Sequence, residues 1–281
     1  MSADLHLHTH YSDGNWSPRQ LVDEAVRLNF ECMAVTDHDT VAGLAEAHES
    51  AQGRIRLIDG IELNTVWLNP EGFRQDVHIL GYFIDPQNSQ LQEAIQTQQK
   101  ARIDYVEETV KKLRSGGFKI DIQDVLNAAG KGSVGRPHIC MAMLKSGAIN
   151  DVSKAYRMLM NRHSEVRIDR RSISPAQAIS AITAAGGIPS LAHPGKEKNM
   201  DVLLPELCLA GLKAIEAYHR GHSLAMVKKY LKLARTMNLL ITGGSDCHGP
   251  FEDFPASIGT IRVAPDVVQR LDEAHEKIQG A

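Results

Sequence analysis

Short apolar runs alternate with amphipathic helical patterns over the first part of the chain, an arrangement typical of βα units. Strands are predicted where these runs occur, over residues 3–9, 32–39, 55–65 and 76–84. A helix is predicted over residues 17–30, because Ser17 is a favourable N-cap and Pro18 occupies the first helical position. A further helical pattern covers about residues 41–51. The chain is therefore expected to begin as a series of alternating strands and helices.

The pattern changes near residue 86, where strands give way to helices. Apolar residues at helical spacing predict a long helix over residues 88–117, which ends at Gly116 and Gly117. Shorter helices are predicted over residues 122–129, from residue 137 onward and over residues 152–160. Because no strand pattern interrupts these helices, residues 86–170 are predicted to form an inserted helical cap.

Strand and helix patterns alternate again after the cap. Strands are predicted over residues 188–194, 212–219, 239–249 and 258–263, with helices over residues 174–187 and 223–238. Alternation on both sides of the insertion favours a parallel, barrel-like α/β core. The predicted organisation is a barrel formed by residues 1–85 and 171–281, with residues 86–170 as a cap that binds the substrate.

The composition narrows the class of partner. The 281-residue chain carries a net charge of −3, so no extended basic surface for long DNA or RNA is expected. No apolar run is long enough to cross a bilayer, and the N-terminus lacks the pattern of a signal peptide. The four cysteines are scattered without CxxC spacing, which favours reduced thiols. We therefore expect a cytoplasmic protein that does not bind membranes.

Imidazoles and carboxylates recur near the ends of the predicted strands. They are His6, His8, His38, Glu62, His78, His193, Asp246 and His248, and Asp13 stands in the same first segment as His6 and His8. Because the carboxyl ends of barrel strands converge on one face, these side chains are expected to meet. His, Asp and Glu without thiolate suit Zn, Mn or Fe, and the set is too large for one tetrahedral ion. Asp37 and Asp39 flank His38 and are expected either to orient imidazoles or to cap their loop.

Four segments carry a resemblance to a known family. "DLHLHTHYSDG" (4–14), "TDHD" (36–39), "AHPG" (192–195) and "SDCHG" (245–249) resemble the motifs of the PHP (polymerase and histidinol phosphatase) family. The resemblance implies a distorted seven-stranded β/α barrel, similar to that of the amidohydrolases, with a trinuclear metal centre. The expected fold is thus an α/β PHP barrel with an inserted helical cap.

The resemblance also implies a ligand set for three divalent cations per chain. The three sets are His6, His8, Glu62 and Asp246; Glu62, His78 and His193; and Asp13, His38 and His248. Manganese is the expected metal, with zinc or iron as alternatives. Such a centre suits hydrolysis of a phosphate ester, with the attacking hydroxide between the two ions that share Glu62. Asp246 or His248 is expected to transfer the proton.

Basic residues outside the motifs are candidates for binding the substrate. With the acidic and neutral residues included, the full set of expected substrate contacts is Asp13, Ser133, Gly135, Arg136, Arg170 and His219. Arg136 directly precedes a predicted helix start, where free amide groups and a guanidinium favour phosphate. The alternative is an ordinary N-cap with an exposed arginine. For Arg170, a solvated surface run is the alternative.

The resemblance extends to a stand-alone bacterial subgroup through "HILGYFID", "GRPH" and "AHPGK". Its members hydrolyse nucleoside 3',5'-bisphosphates such as adenosine 3',5'-bisphosphate, and some trim short RNA from the 5' end. The expected activity is therefore removal of the 3'-phosphate, with the 5'-phosphate as an anchor and a nucleotide or short RNA as partner. The alternatives are a 5'-3' exoribonuclease, a histidinol-phosphate phosphatase and a metal-dependent binding module without turnover.

Overall fold

The computed structural model describes residues 2–130, 132–161, 164–197, 199–250 and 255–280. Seven strands form one sheet in chain order: β1 (Ala3–Leu7), β2 (Cys32–Val35), β3 (Arg56–Leu68), β4 (Arg74–Tyr82), β5 (Ile188–Leu191), β6 (Ala214–His219) and β7 (Leu240–Gly244). The last strand approaches the first, where the His8 N–H donates to the Cys247 carbonyl at 2.9 Å. The sheet is thereby nearly closed into a barrel, as predicted.

The described residues also form ten α-helices. They are α1 (Pro18–Arg27), α2 (Leu44–Ala51), α3 (Ser89–Ser115), α4 (Ile122–Ala129), α5 (Arg136–Lys145), α6 (Val152–Met160), α7 (Pro175–Ala184), α8 (Met200–Leu209), α9 (Leu224–Thr236) and α10 (Pro265–Gln279). The predicted start of α1 is confirmed: Ser17 is the N-cap, Pro18 is the first helical residue, and Ser17 and Gln20 form a reciprocal capping box. None of the helices in the described residues is long and apolar enough to span a membrane.

The prediction of a parallel core was wrong for β4, which runs antiparallel to both β3 and β5. β3 and β4 are joined by the short loop 69–73, where the Asn69 side chain accepts hydrogen bonds from the Glu71 and Phe73 N–H groups at 3.1 and 2.8 Å. A connection this short can join only antiparallel strands, because a parallel pair needs a long crossover.

The predicted strand over residues 258–263 was also wrong. Gly259 adopts a left-handed backbone with φ 87°, so the chain turns at this point instead of extending. Within residues 258–263, only Val263 pairs with another strand: it forms an isolated bridge with Ala3 through two backbone hydrogen bonds of 2.8 and 3.0 Å. The chain then enters α10, which the sequence patterns did not predict.

The described residues form three hydrophobic clusters. One joins the strands to α10 through residues such as Leu5, Tyr82 and Leu271. The largest packs α1, α2, α7 and α8 against the sheet, and it includes Leu91 and Ile95 from the first turns of α3. The third packs the rest of α3 against α4, α5 and α6 through residues such as Val106, Leu113 and Ile139. The long helix α3 therefore belongs to the last two of these clusters. Division of the chain into barrel and cap at residues 86 and 170 stays a prediction.

Candidate metal centre

All nine predicted ligand side chains lie together at one end of the barrel. Potential ligand atoms of eight of them lie within 4.8 Å of one another in three groups: His6, His8, Glu62 and Asp246; His8, Asp13, His38 and His248; and His38, Glu62 and His78. The ninth residue, His193, is in none of these groups, but its Nε2 atom lies 3.0 Å from Glu62 Oε1. Local structure explains part of this arrangement. His6 and His8 are two residues apart on and just after β1, so their side chains share one face. Glu62 and His78 are diagonal neighbours on the antiparallel pair β3–β4.

Glu62 is fully buried at the centre of this cluster. Its Oε2 atom lies 3.2 Å from His6 Nε2 and 3.3 Å from His8 Nε2. Its Oε1 atom lies 2.9 Å from His78 Nδ1 and 3.0 Å from His193 Nε2. The two oxygen atoms therefore face different sets of imidazoles, an arrangement that suits a carboxylate shared by two cations.

His38 connects this centre to a second carboxylate. Its Nδ1 atom lies 3.0 Å from Glu62 Oε2, and its Nε2 atom lies 3.9 Å from Asp13 Oδ2. The other Asp13 oxygen lies 3.2 Å from His248 Nε2. Because His38 also falls in the group of Glu62 and His78, the structure permits more than one division of ligands among cations. Assignment of each ligand to a cation stays a prediction.

Several buried polar atoms of the cluster have no hydrogen-bond partner among the described residues. They are His8 Nδ1 and His193 Nδ1, together with His8 Nε2 and Asp13 Oδ1, whose approaches of 3.3 Å to Glu62 Oε2 and 3.2 Å to His248 Nε2 lack hydrogen-bond geometry. Leaving buried polar atoms unpaired is costly, and a bound cation would satisfy such lone pairs. The imidazole and carboxylate donors, without thiolate, suit Mn, Zn or Fe. The residues present therefore fit divalent cations.

Without cations, the electrostatic environment favours the metal-binding protonation states of only some of the ligands. Neighbouring carboxylates outweigh burial, so they raise the pKa of His8 to about 10 and that of His6 well above its usual value. Burial lowers the pKa of His193 to about 4, so its imidazole is neutral near pH 7. Burial by itself would raise the pKa values of Glu62 and Asp246, but the surrounding imidazoles outweigh it and hold both pKa values well below the usual range. Ionised carboxylates and neutral imidazole are the forms that bind metal.

Three residues of this region have a left-handed backbone although none is glycine. The φ angles are 52° for Asp39, 29° for His193 and 51° for Asp246. Such conformations cost on the order of 1–2 kcal/mol each and cluster at functional sites. The surrounding hydrogen bonds must hold these residues in place.

The loop that carries Asp13 is shaped by Asp37. The Asp37 carboxylate accepts hydrogen bonds from the Thr9 N–H at 2.7 Å and from the hydroxyls of Thr9 and Ser12 at 2.6 Å. Gly14 closes the loop, where a Cβ atom would lie 2.6 Å from the His8 carbonyl oxygen. Of the two predicted roles for Asp37, the structure therefore supports loop capping.

Glu216 is a buried carboxylate that the sequence patterns did not single out. It lies in β6, where its Oε1 atom is 2.9 Å from His6 Nδ1 and its Oε2 atom accepts a hydrogen bond from the His193 N–H at 2.6 Å. A carboxylate inside the apolar run "AIEAYH" was the available signal. Burial of such a residue requires partners, and a strand end rich in histidine is a natural source of them.

A small cavity of about 70 Å³ adjoins the cluster on the side of His38 and His78. Arg102, Arg136 and Arg170 line it together with Gly135, Tyr105 and Tyr156. Arg102 Nε lies 2.6 Å and Arg170 Nη2 3.4 Å from Asp39 Oδ2, while Arg136 Nη1 lies 2.9 Å from Asp76 Oδ2. Three guanidinium groups are thus paired with two carboxylates, which leaves this cavity suited to an anion.

Arg102 is another residue that the sequence patterns missed. Its Nη1 group donates to the Val134 carbonyl at 3.0 Å, so it holds the loop that carries Gly135 and Arg136. A Cβ atom on Gly135 would lie 2.9 Å from Arg102 Nη1, which explains the glycine. A single arginine within a long charged helix gives no sequence signal of such a role.

Two predicted substrate contacts lie outside the lining of the small cavity. Ser133 is buried, and its N–H donates to the Tyr11 carbonyl at 2.9 Å. His219 is also buried, and its Nε2 atom lies 3.3 Å from Asp246 Oδ2, so it contacts a predicted ligand. Lys196 Nζ lies 3.1 Å from the same oxygen. Substrate contact by Ser133 and His219 stays a prediction.

A larger cleft of about 930 Å³ adjoins the cluster on the side of His248. It runs between α4 and α5 and the loops after β1 and β7, with Asn127, Met141 and Arg220 in its walls. Asp13, Pro137 and Tyr156 line both this cleft and the small cavity. The metal-binding cluster therefore has an enclosed cationic cavity on one side and a wide cleft on the other.

Comparison with known proteins places this geometry in a family. The sequence profile of the PHP domain matches residues 4–128. The 3',5'-nucleoside bisphosphate phosphatase of Chromobacterium violaceum is 29% identical over 89% of this chain and 88% of that protein. The phosphoribosyl 1,2-cyclic phosphate 1,2-diphosphodiesterase of Eggerthella lenta is 31% identical over 91% of this chain and 97% of that protein. The 5'-3' exoribonuclease Rnm of Escherichia coli is 30% identical over 88% of this chain and 85% of that protein.

Solved structures agree with these relatives. A protein of Bifidobacterium adolescentis, provisionally assigned as a metal-dependent phosphoesterase, superposes with a TM-score of 0.86 at 31% identity, over 96% of this chain and 94% of that one. An amidohydrolase from Chromobacterium violaceum superposes with a TM-score of 0.84 at 27% identity, over 98% of this chain and 97% of that one. These similarities agree with the geometry of the site, and they show that the chain belongs to the PHP family of metal-dependent phosphoesterases, which are hydrolases that act on phosphate esters.

Proposed function

We propose that this enzyme removes the 3'-phosphate of nucleoside 3',5'-bisphosphates, such as adenosine 3',5'-bisphosphate, to give the nucleoside 5'-monophosphate and phosphate. The observation that carries the proposal is the cavity of about 70 Å³ lined by Arg102, Arg136 and Arg170 directly beside the metal-binding cluster. A substrate with one phosphate needs no second anion site. A bisphosphate needs one at a short distance from the scissile group.

The proposed ligands of up to three divalent cations are the nine residues of the cluster, with manganese as the favoured metal. When bound, such cations lower the pKa of a water molecule and neutralise charge on the phosphoryl group. Glu62 would help to hold two of them, since its two oxygen atoms face different sets of imidazoles. The residues that line the cleft and the small cavity then orient the substrate on the two sides of the cluster.

Asp246 and His248 are the proposed residues for proton transfer. The His248 side chain is 31% exposed and lines the cleft, so it can exchange protons with solvent. Asp246 is buried, and its Oδ2 atom lies within 3.3 Å of Lys196 Nζ and His219 Nε2. These contacts hold the carboxylate in one orientation beside the reacting phosphate.

Arg136 and Arg170 are the proposed anchors of the 5'-phosphate. Both guanidinium groups line the small cavity, and a guanidinium can bind phosphate through two parallel hydrogen bonds. Arg102 supports them because it holds the Val134 carbonyl and the Asp39 carboxylate. The anchored phosphate fixes the distance from the cavity to the scissile 3'-phosphate.

Phosphate release from a panel of substrates tests the proposal. With Mn²⁺ present, kcat/KM should be at least ~10-fold higher for adenosine 3',5'-bisphosphate than for adenosine 3'-phosphate, because only the first carries the anchoring group. Histidinol phosphate and phosphoribosyl 1,2-cyclic phosphate serve as competing substrates. Faster turnover of either one than of the bisphosphate would overturn the proposal. Failure to hydrolyse even an aryl phosphate would favour a binding module without turnover.

The wide cleft favours 5'-3' exoribonuclease activity on short RNA as a second candidate function. Its volume of about 930 Å³ leaves room for nucleotides beyond the scissile phosphate. The same cluster and anchor would act on both substrates, since a phosphodiester replaces the terminal phosphate. Product analysis with a 5'-phosphorylated short RNA separates the two activities: mononucleotides indicate exoribonuclease, and inorganic phosphate indicates phosphatase.

Histidinol-phosphate phosphatase is less well supported by the geometry. Histidinol phosphate carries a cationic amine and one phosphate, so it calls for acidic groups beside the reacting centre. The cavity next to the cluster presents three arginines instead, and the carboxylate in its lining, Asp13, is a proposed cation ligand.

A further inference from the structure

Glu216 contacts two proposed ligands by two different routes. Its Oε1 atom lies 2.9 Å from His6 Nδ1, on the side of the ring that faces away from Glu62. Its Oε2 atom accepts a hydrogen bond from the His193 N–H at 2.6 Å. The carboxylate is fully buried in β6. One group therefore contacts the ring of one histidine and the backbone of another.

We propose that Glu216 is the positioning residue of the metal centre: it fixes the tautomer of His6 and the backbone of His193 so that both can bind cations. The inference rests on the ligand assignment in the proposed function. A carboxylate accepts hydrogen bonds but does not donate them when ionised, so it requires the His6 proton on Nδ1. The Nε2 lone pair then points toward Glu62 and Asp246, at 3.2 and 3.5 Å.

The contact with His193 acts on the backbone. His193 has φ 29°, a left-handed conformation that is strained for a residue with a side chain. The hydrogen bond from its N–H to Glu216 holds this conformation, which aims His193 Nε2 at Glu62 Oε1 at a distance of 3.0 Å. Without the acceptor, the residue would relax toward an ordinary backbone conformation and its ring would leave the cluster.

Glutamine at this position keeps the shape but cannot serve both partners. If the amide oxygen accepts from the His193 N–H, the amide nitrogen faces His6 Nδ1 and donates to it. The His6 proton must then move to Nε2, which blocks the proposed ligand atom. If the amide is reversed, its nitrogen opposes the His193 N–H, two donors face each other, and the strained turn loses its support. Either orientation disables one ligand.

Cation binding by Glu216→Gln tests the inference. Titration with Mn²⁺ against a chelating dye should show the affinity of the tightest sites reduced about 10- to 100-fold, the range expected for loss of such an outer carboxylate. The matched control is Thr242→Val, which removes a buried hydroxyl opposite Glu216 in β7 that bonds Ser190 at 3.0 Å. It should bind within about twofold of the wild type. Equal affinities for Glu216→Gln and wild type would overturn the inference.

A measurement on the wild type keeps the inference testable if the variant does not fold. In zinc-loaded protein, which is diamagnetic, ¹⁵N NMR should show the His6 proton on Nδ1 and none on Nε2. The opposite tautomer would overturn the inference, as would wild-type protein that binds no divalent cation. Protein that binds Mn²⁺ normally, with the expected tautomer, but does not hydrolyse the bisphosphate would overturn only the proposed function.

Discussion

Replacement of Arg136 by methionine tests the contribution of the anchoring phosphate to substrate binding separately from that of the scissile phosphate. Methionine keeps an unbranched apolar side chain but removes the guanidinium that lines the small cavity. The group lost is a charged donor, and the scissile phosphate lies beyond its reach in the proposed binding mode. The change should therefore weaken binding of a bisphosphate without affecting a substrate that has only a 3'-phosphate.

The structure sets the size of the expected effect. Arg136 Nη1 already pairs with Asp76 Oδ2 at 2.9 Å, so part of the guanidinium is engaged before the substrate arrives. The remaining donors can form charge-assisted hydrogen bonds worth about 1.5–3 kcal/mol in total. This corresponds to a roughly 10- to 150-fold increase in KM for adenosine 3',5'-bisphosphate. The Asp76 side chain is 31% exposed, so water can solvate it when its partner is removed.

Steady-state phosphate release with two substrates measures the effect. For Arg136→Met, kcat/KM on adenosine 3'-phosphate should stay within about threefold of the wild type, since no anchoring contact is lost. Arg157→Met, at an exposed position of α6, is the matched control and should change neither substrate. Equal losses on both substrates, or an unchanged KM for the bisphosphate, would refute the role of Arg136 as the anchor.

Four further outcomes follow from the structure. Asp39→Ala leaves Arg102 without its partner at 2.6 Å, so the free energy of unfolding in urea should fall by about 3–5 kcal/mol, and a loss below ~1 kcal/mol would contradict this. Burial raises the pKa of Glu197 from 4.5 to about 7, so its contribution to stability is present below pH 4.5 and is lost as the pH rises through 7. The wild type should therefore lose ~1–3 kcal/mol more of its free energy of unfolding between about pH 5 and 8 than Glu197→Gln does. Parallel curves of unfolding free energy against pH for the two proteins would contradict this. Burial raises the pKa values of the Cys32 and Cys140 thiols to about 11 and about 12, so both should react with a disulfide reagent at pH 8 at least ~100-fold more slowly in the native protein than in urea. Dialysis against a strong chelator should abolish phosphate release and Mn²⁺ should restore it, whereas full activity after metal removal would contradict the metal dependence.

The elements with strong local signals were predictable. The start of α1 follows from Ser17 and Gln20, whose side chains accept hydrogen bonds from each other's N–H groups, and from Pro18, which has no N–H to satisfy. β1 was recognisable from the alternation of apolar Ala3, Leu5 and Leu7 with polar residues, and β2 from its short run of buried apolar residues. In such elements the stabilising contacts are set by short-range sequence order, so a pattern in the sequence suffices.

Elements that depend on distant partners were less predictable. The run at residues 258–263 has strand composition, but Gly259 turns and only Val263 reaches an edge partner. The direction of β4 was missed because the loop 69–73 lacks a strong two-residue hairpin signal. The direction of β4 matters for the site, since the antiparallel register brings His78, in the middle of that strand, next to Glu62.

The sequence by itself determined which donor atoms this protein carries, since residues such as His6, His8 and Asp246 stand within motifs whose chemistry suits cations. Only the tertiary structure decided that Glu216 faces His6 and that Arg102 supports the loop before α5. These contacts join residues 210 and 32 positions apart along the chain. Their energies depend on burial and on hydrogen-bond geometry, which exist only after the barrel has closed and α3 has packed against it.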